Sequence, residues 1–238
     1  MSYLTPLHLS RTIYKIGDKG NGFAVERGRC NTMKIIDVRK DNFTAVHTLV
    51  EDTSFEDKPA LRIIKKDKID IYDENTYAKV NDLQFHNGII EIKLLSRLLP
   101  DAPDFARGFI GIVYRANDND SEFESFYVRP ANGRTCTDPI RKVHGCQYFS
   151  YPGYTFSYFR EYGITKYESE ADIDLNEWIT LKAVIENERA EFYINQNTKA
   201  TLIIEDMKHG IGKKGSIGVF VDIGTEAIIS ELKVTCTD

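Results

Sequence analysis

The stretch GFIGIVYRANDNDSEFESFYVRPANGR, residues Gly108 to Arg134, decides the reading of the fold. Two runs of alternating residues flank a polar turn, as in a β-hairpin. In the first run Ile110, Ile112 and Tyr114 share one face, and Val113 and Arg115 share the other. In the second, Phe126 and Val128 oppose Tyr127 and Arg129, and the chain then enters a loop with Asn132 and Arg134. A hairpin with one apolar face and one face ending in guanidinium and phenol groups fits a sheet that covers a core on one side and meets a ligand on the other.

The same alternation extends outward. IIEIKLLSRLL, opened by Asn87-Gly88, places Ile90, Ile92 and Leu94 opposite Glu91 and Lys93. AVHTLVE and ALRIIKK read as two strands joined by SFEDKP, whose Pro59 is unsuited to a central strand. The last third runs WITLKAVIEN, AEFYIN, TLIIED, GSIGVFVDIG and AIISELKV, with turn residues between. Short strands at regular spacing without helices predict an all-β, two-sheet antiparallel sandwich of jelly-roll type. Residues 1–238 are read as one domain, of which 1–42 is less regular, with turn glycines at Gly17, Gly20, Gly22 and Gly28.

Composition narrows the function classes. The net charge of −5, from 31 basic and 36 acidic residues, gives no global pull toward nucleic acid or anionic membrane. Thirteen Tyr and thirteen Phe against one Trp suit pleated, half-buried surfaces. The opening residues lack a signal-peptide run and no segment reaches transmembrane length. The expectation is a cytoplasmic protein as written, or an extracytoplasmic one if a leader has been trimmed. Cys30, Cys136, Cys146 and Cys236 show no C-x-x-C spacing; Cys136 and Cys146 bracket one loop and could pair under oxidising conditions, but free thiols are expected. Phosphate-loop, dinucleotide, nucleophile-elbow and zincin motifs do not occur.

The run from Trp178 to Asn195, the closing GSIGVFV…AIISELKV and the hairpin FIGIVYR…FESFYVRP resemble the concanavalin A-like lectin/glucanase sandwich. The resemblance spans residues 43–235 and points to the branch with laminin G-like and keto-disaccharide hydrolase-related domains. It implies a site on the concave sheet face and its neighbouring loops, and it implies lectin, hydrolase or adhesive roles without choosing among them.

The loop region from Arg129 to Arg160 is where the residues themselves place a site. It holds five Lys or Arg, one acid (Asp138) and seven Tyr or Phe. Aromatic faces stack on sugar rings, while arginine and amide groups bind carboxylates and hydroxyls. The candidate ligand-binding residues are Arg115, Tyr127, Arg129, Asn132, Arg134, His144, Gln147 and Arg160. The expected partner is an oligosaccharide or glycan, acidic sugars included, bound by a lectin-like protein; neither nucleic acid nor membrane is expected.

Two further readings stay open. A glycoside hydrolase needs paired carboxyls about 5–5.5 Å or about 6.5–9.5 Å apart. Glu124, Glu161 and Glu168 are its candidates, beside Glu122 and the stripe Glu168-x-Glu170-x-Asp172-x-Asp174, whose last three acids approximate a laminarinase-type motif. A protein-interaction sandwich is the other. No cofactor is expected, although Asp118 and Asp120 in the hairpin turn offer oxygens to calcium.

Overall fold

The computed structural model describes residues 32–66 and 74–237. Residues 1–31, with Cys30 and the four turn glycines, lie outside them. Among the described residues the strands are β1 (Thr32–Ile36), β2 (Phe43–Val46), β3 (Thr48–Phe55), β4 (Lys58–Lys65), β5 (Tyr77–Val80), β6 (Gly88–Leu98), β7 (Ile110–Ala116), β8 (Phe123–Val128), β9 (Cys146–Tyr151), β10 (Glu168–Ser169), β11 (Trp178–Glu186), β12 (Arg189–Ile194), β13 (Leu202–Ile204), β14 (Ser216–Val221) and β15 (Thr225–Cys236). Two short helices, α1 (Pro139–Lys142) and α2 (Phe156–Glu161), interrupt them. None is long and apolar enough to cross a membrane.

The strands form two antiparallel sheets. One has the order β13-β12-β11-β6-β15-β4-β3, with β1 also on β15; the other runs β10-β9-β8-β7-β14-β5-β2. The alternation in sequence explains their inner faces. Ile90, Ile92 and Leu94 of β6 are buried, as are Ile179, Leu181, Ala183 and Ile185 of β11. The opposing sheet contributes Ile110, Ile112, Tyr114, Phe126 and Val128. Phe126 of β8 lies parallel to Phe192 of β12, ring centroids 4.2 Å apart, so this pair joins the two sheets. Such a two-layer antiparallel stack is the sandwich that the sequence predicts.

Two local readings change. AVHTLVE is not one strand: His47 takes φ 49°, the chain turns there, and β2 joins one sheet while β3 joins the other. Pro59 does lie in a strand, but opposite Ser54 of β3 and before the segment Leu61–Ile64 that pairs with β15. The loop shortens to the two-residue turn Glu56-Asp57, both at positive φ, which matches the twist of a tight hairpin.

Candidate functional site

The outer face of the seven-stranded sheet is also covered, unlike the open face expected of the hairpin; every residue of β7 and β8 is buried. Strand register builds this second layer. Phe220 pairs with Gly111, Gly111 with Tyr127, Tyr127 with Gln147, and Gln147 with Glu168. One transverse row therefore crosses four adjacent strands and ends on the edge strand β10. Gly111 has no side chain, so Phe220 and Tyr127 meet over it with centroids 5.3 Å apart. A Cβ there would lie 2.2 Å from the Phe126 carbonyl oxygen and 2.6 Å from the Tyr127 Cβ.

Next to this row, Asp222 N–H donates to the Phe109 carbonyl and Arg129 N–H to the Gly145 carbonyl. Above both rows α2 supplies Phe156 and Arg160. The result is a cavity of about 320 Å³ lined by Phe105, Arg107, Phe109, Tyr127, Arg129, Asn132, Arg141, His144, Phe149, Phe156, Arg160, Phe220, Asp222 and Ile223.

Its polar wall is a network around one carboxylate. Glu168, with a side chain only 4% exposed, faces Arg129 Nη1 at 3.1 Å, Arg160 Nη2 at 3.1 Å and His144 Nδ1 at 2.9 Å. Arg129 Nη1 also donates to the His144 carbonyl at 3.1 Å, and its Nη2 donates to Tyr127 Oη at 2.5 Å and to Gln147 Oε1. The Tyr127 hydroxyl then donates to Gln147 Oε1 at 2.9 Å. The Arg129 guanidinium lies 4.8 Å from the Tyr127 ring centroid, and Phe156 takes Arg129 and Arg160 at 5.6 and 5.1 Å. At these distances the guanidiniums are attracted to the aromatic faces.

His144 is neutral in this setting. Its Nε2 lies 3.1 Å from Arg160 Nη1; arginine only donates, so Nε2 accepts and the ring proton sits on Nδ1, toward Glu168. Burial lowers its pKa, Arg160 and Arg129 lower it further, and Glu168 pulls the other way. At the cavity mouth, burial and the charge of Arg141 lower the Arg107 pKa. Asn132 Nδ2 donates to the His144 carbonyl at 3.1 Å, whereas its buried Oδ1 has no partner among the described residues.

Of the residues singled out from sequence, Tyr127, Arg129, Asn132, His144 and Arg160 line this cavity, and Gln147 lies directly beneath it. Two do not. Arg115 lies elsewhere: it sits in a bulge between Val113 and Ala116, the partners of Gly218 and Ser216, with φ of 54°. It donates to the carbonyls of His86 and Asn187 at 2.9 and 2.8 Å and to Asn87 Oδ1 at 3.2 Å, tying strand ends together. Arg134 lies outside the cavity, held by Asp172 at 3.1 Å, Asp174 at 3.4 Å and Glu177.

The candidate acids are dispersed. Glu124 is on the inner face of β8, where it accepts from the Tyr148 hydroxyl at 2.6 Å, the His209 N–H at 3.0 Å and Ser150. Glu161 is exposed at the end of α2, Glu122 is 2.6 Å from Lys213, and Glu168 is engaged as described. The acidic stripe is a strand only at Glu168–Ser169, and Asp172 and Asp174 serve Arg134. Replacing Glu124 with leucine is expected to destabilise the fold by about 2–3 kcal/mol, because buried donors lose their acceptor. Urea unfolding would measure this, with ligand binding unchanged.

Asp120 Oδ1 is 2.7 Å from Lys79 Nζ and accepts from the Tyr77 hydroxyl at 2.6 Å. Asp118 contributes its carbonyl to Lys79 at 3.4 Å. Among the described residues no cluster of three or more metal-ligating side chains occurs. Cys136 and Cys146 are free thiols, and burial pushes the Cys146 thiol pKa up to about 12.

Sequence reasoning missed Phe105, Arg107, Phe109, Phe220, Asp222 and Ile223. The alternation of β14 marks Phe220 as facing opposite Val219, but nothing in the text pairs it with Tyr127 across Gly111.

No protein-family model and no curated protein matches the sequence. Solved structures do. A carbohydrate-binding module, CBM66, from Bacillus subtilis is 14% identical, with 81% of this chain and 94% of that one covered and a TM-score of 0.48. Domain 4 of AbnA, an extracellular arabinanase of Geobacillus stearothermophilus solved with arabinotriose, gives 10%, 86%, 82% and 0.43 for the same quantities. A Parabacteroides distasonis protein proposed to be a glycosyl hydrolase is 12% identical, with 87% of this chain and all of that one covered and a TM-score of 0.51. At such identity this last likeness is one of fold alone, a two-sheet antiparallel sandwich.

Proposed function

We propose that this chain is a lectin-like, carbohydrate-binding protein whose site is the cavity over Tyr127, with a preference for acidic sugars. The observation that carries this is the pairing of aromatic faces with four arginines in one cavity, within a chain of net charge −5. Its volume is at the lower end of small-molecule pockets and suits a single sugar ring. Glu168 offsets one guanidinium of Arg129 and Arg160, and Asp138, 3.3 Å from Arg141, offsets another. Asp222, 3.1 Å from Lys65, shares that ammonium with Glu74 at 2.8 Å. The lining itself carries four arginines against one acid, Asp222, and an anionic ligand suits such a wall.

Calorimetry with glucuronic acid and glucose as matched probes tests this. The acid is expected to bind and the neutral sugar to bind more weakly. Arg160→Gln is expected to weaken the acid by roughly tenfold, as loss of a charged hydrogen bond would, and to leave glucose unaffected. Arg160 is 39% exposed, so the fold tolerates this change. Equal affinity for the two sugars sinks the acidic preference. Silence across neutral and acidic oligosaccharides, with salt-sensitive binding to a protein instead, sinks the carbohydrate reading.

A further inference from the structure

His144 and Arg160 both line the cavity, and their contact depends on where one proton sits. His144 lies between α1 and β9 with its side chain 17% exposed, and Arg160 is on α2, half-exposed. Arg160 Nη1 stands 3.1 Å from His144 Nε2. That contact is a hydrogen bond only while Nε2 keeps its lone pair. A proton on Nε2 makes it a second donor facing the first, and the two then need an acceptor between them.

In the empty cavity the surroundings oppose that proton. Arg129 at the end of β8 and Arg160 on α2 face the ring with positive charge. Glu168 on β10 faces it with negative charge, 2.9 Å from Nδ1, but the same carboxylate also serves both arginines at 3.1 Å. Around the rest of the wall Arg107 and Arg141 add positive charge and Asp222 negative. Burial and the two near arginines hold the His144 pKa below its ordinary value, against the pull of Glu168. A ligand carboxylate at Arg160 reverses this balance. It accepts from both donors, and its charge favours an imidazolium beside it.

We propose that the cavity takes up its acidic ligand together with a proton on His144, so that affinity rises as the pH falls. This rests on the acidic-sugar reading of the same cavity. The complex holds the proton more tightly than the empty site does, so the His144 pKa is higher in the complex. The gain in affinity is then fully present below the pKa of the empty site and is lost as pH rises through that of the complex.

The test is calorimetry of the full chain with glucuronic acid at about pH 5.5 and about pH 8, limits that span the usual histidine range. The ligand carboxylate is ionised at both. Binding is expected to be about tenfold tighter at the lower pH, the effect of about one pK unit at His144. Between these limits the heat is expected to differ between buffers of unlike ionisation enthalpy, as proton uptake requires. In His144→Asn, which keeps an N–H for Glu168, affinity is expected to be the same at both pH values. Should that variant fail to fold, ring-proton NMR of the unsubstituted protein decides, with the His144 titration expected to move to higher pH when glucuronic acid is added. Equal affinity at both pH values, or a His144 titration that the ligand does not move, overturns the inference and leaves the acidic-sugar reading standing. A pH response that survives in His144→Asn overturns it too. If glucuronic acid binds at neither pH, the inference and the acidic preference fall together.

Discussion

Replacing Arg129 with methionine is expected to destabilise the protein by about 3–5 kcal/mol, the usual result of removing one member of a buried ion pair. The reason lies in what remains. Glu168 is 4% exposed at its side chain, and Arg129 is 5% exposed at its own. Without Arg129 the carboxylate keeps only the half-exposed Arg160 and a neutral His144. Gln147 and Tyr127 lose the same donor, so one substitution unsettles the whole row from Tyr127 to the sheet edge. Urea unfolding followed by tyrosine fluorescence gives the number. Glu168→Leu combined with Arg129→Met is expected to cost less than the sum of the single changes, since the double variant leaves neither charge unpaired. Strict additivity would mean the two groups do not depend on each other, contrary to their 3.1 Å contact.

Phe126→Ala is expected to cost a similar 3–5 kcal/mol by a different route. Phe126 is fully buried and stacks on Phe192 across the two sheets. Truncation opens a cavity in the middle of the inner layer, which the strands on either side, tied by their ladders, can close only in part. A drop in melting temperature of roughly 6–20 °C follows from typical unfolding entropies for a domain of this size. Phe126 points away from the ligand cavity, so the affinity of the folded fraction is expected to be unchanged. Binding measured well below the melting temperature checks this. The two variants therefore separate the layers: Arg129→Met should harm both stability and binding, Phe126→Ala stability alone.

The elements that the sequence determined are those governed by a period of two. Ile110, Ile112, Tyr114, Phe126 and Val128 alternate strictly, so their common inner face was legible from one strand at a time. The same alternation put Tyr127 and Arg129 together on the other face. Charge and aromatic clustering in residues 129–160 marked the loop that closes over them. Where one residue departs from the period, the text misleads: the positive φ at His47 splits a single run between two sheets, and the bulge at Arg115 sets its guanidinium on carbonyl groups.

Tertiary structure alone decided which distant residues share the cavity. Phe220 meets Tyr127 because β14 and β8 flank β7 in a register that sets Gly111 between them. Glu168 reaches Arg129 because two residues of β10 pair with β9, which places the carboxylate at the end of the same row. Neither contact leaves a periodic trace in the sequence, since cross-strand register is set by the global packing of the sheet. Arg107 and Phe105 arrive on a loop whose path is fixed by what it covers. The fold was thus written in local alternation, while the site was assembled by registers between strands that are far apart along the chain.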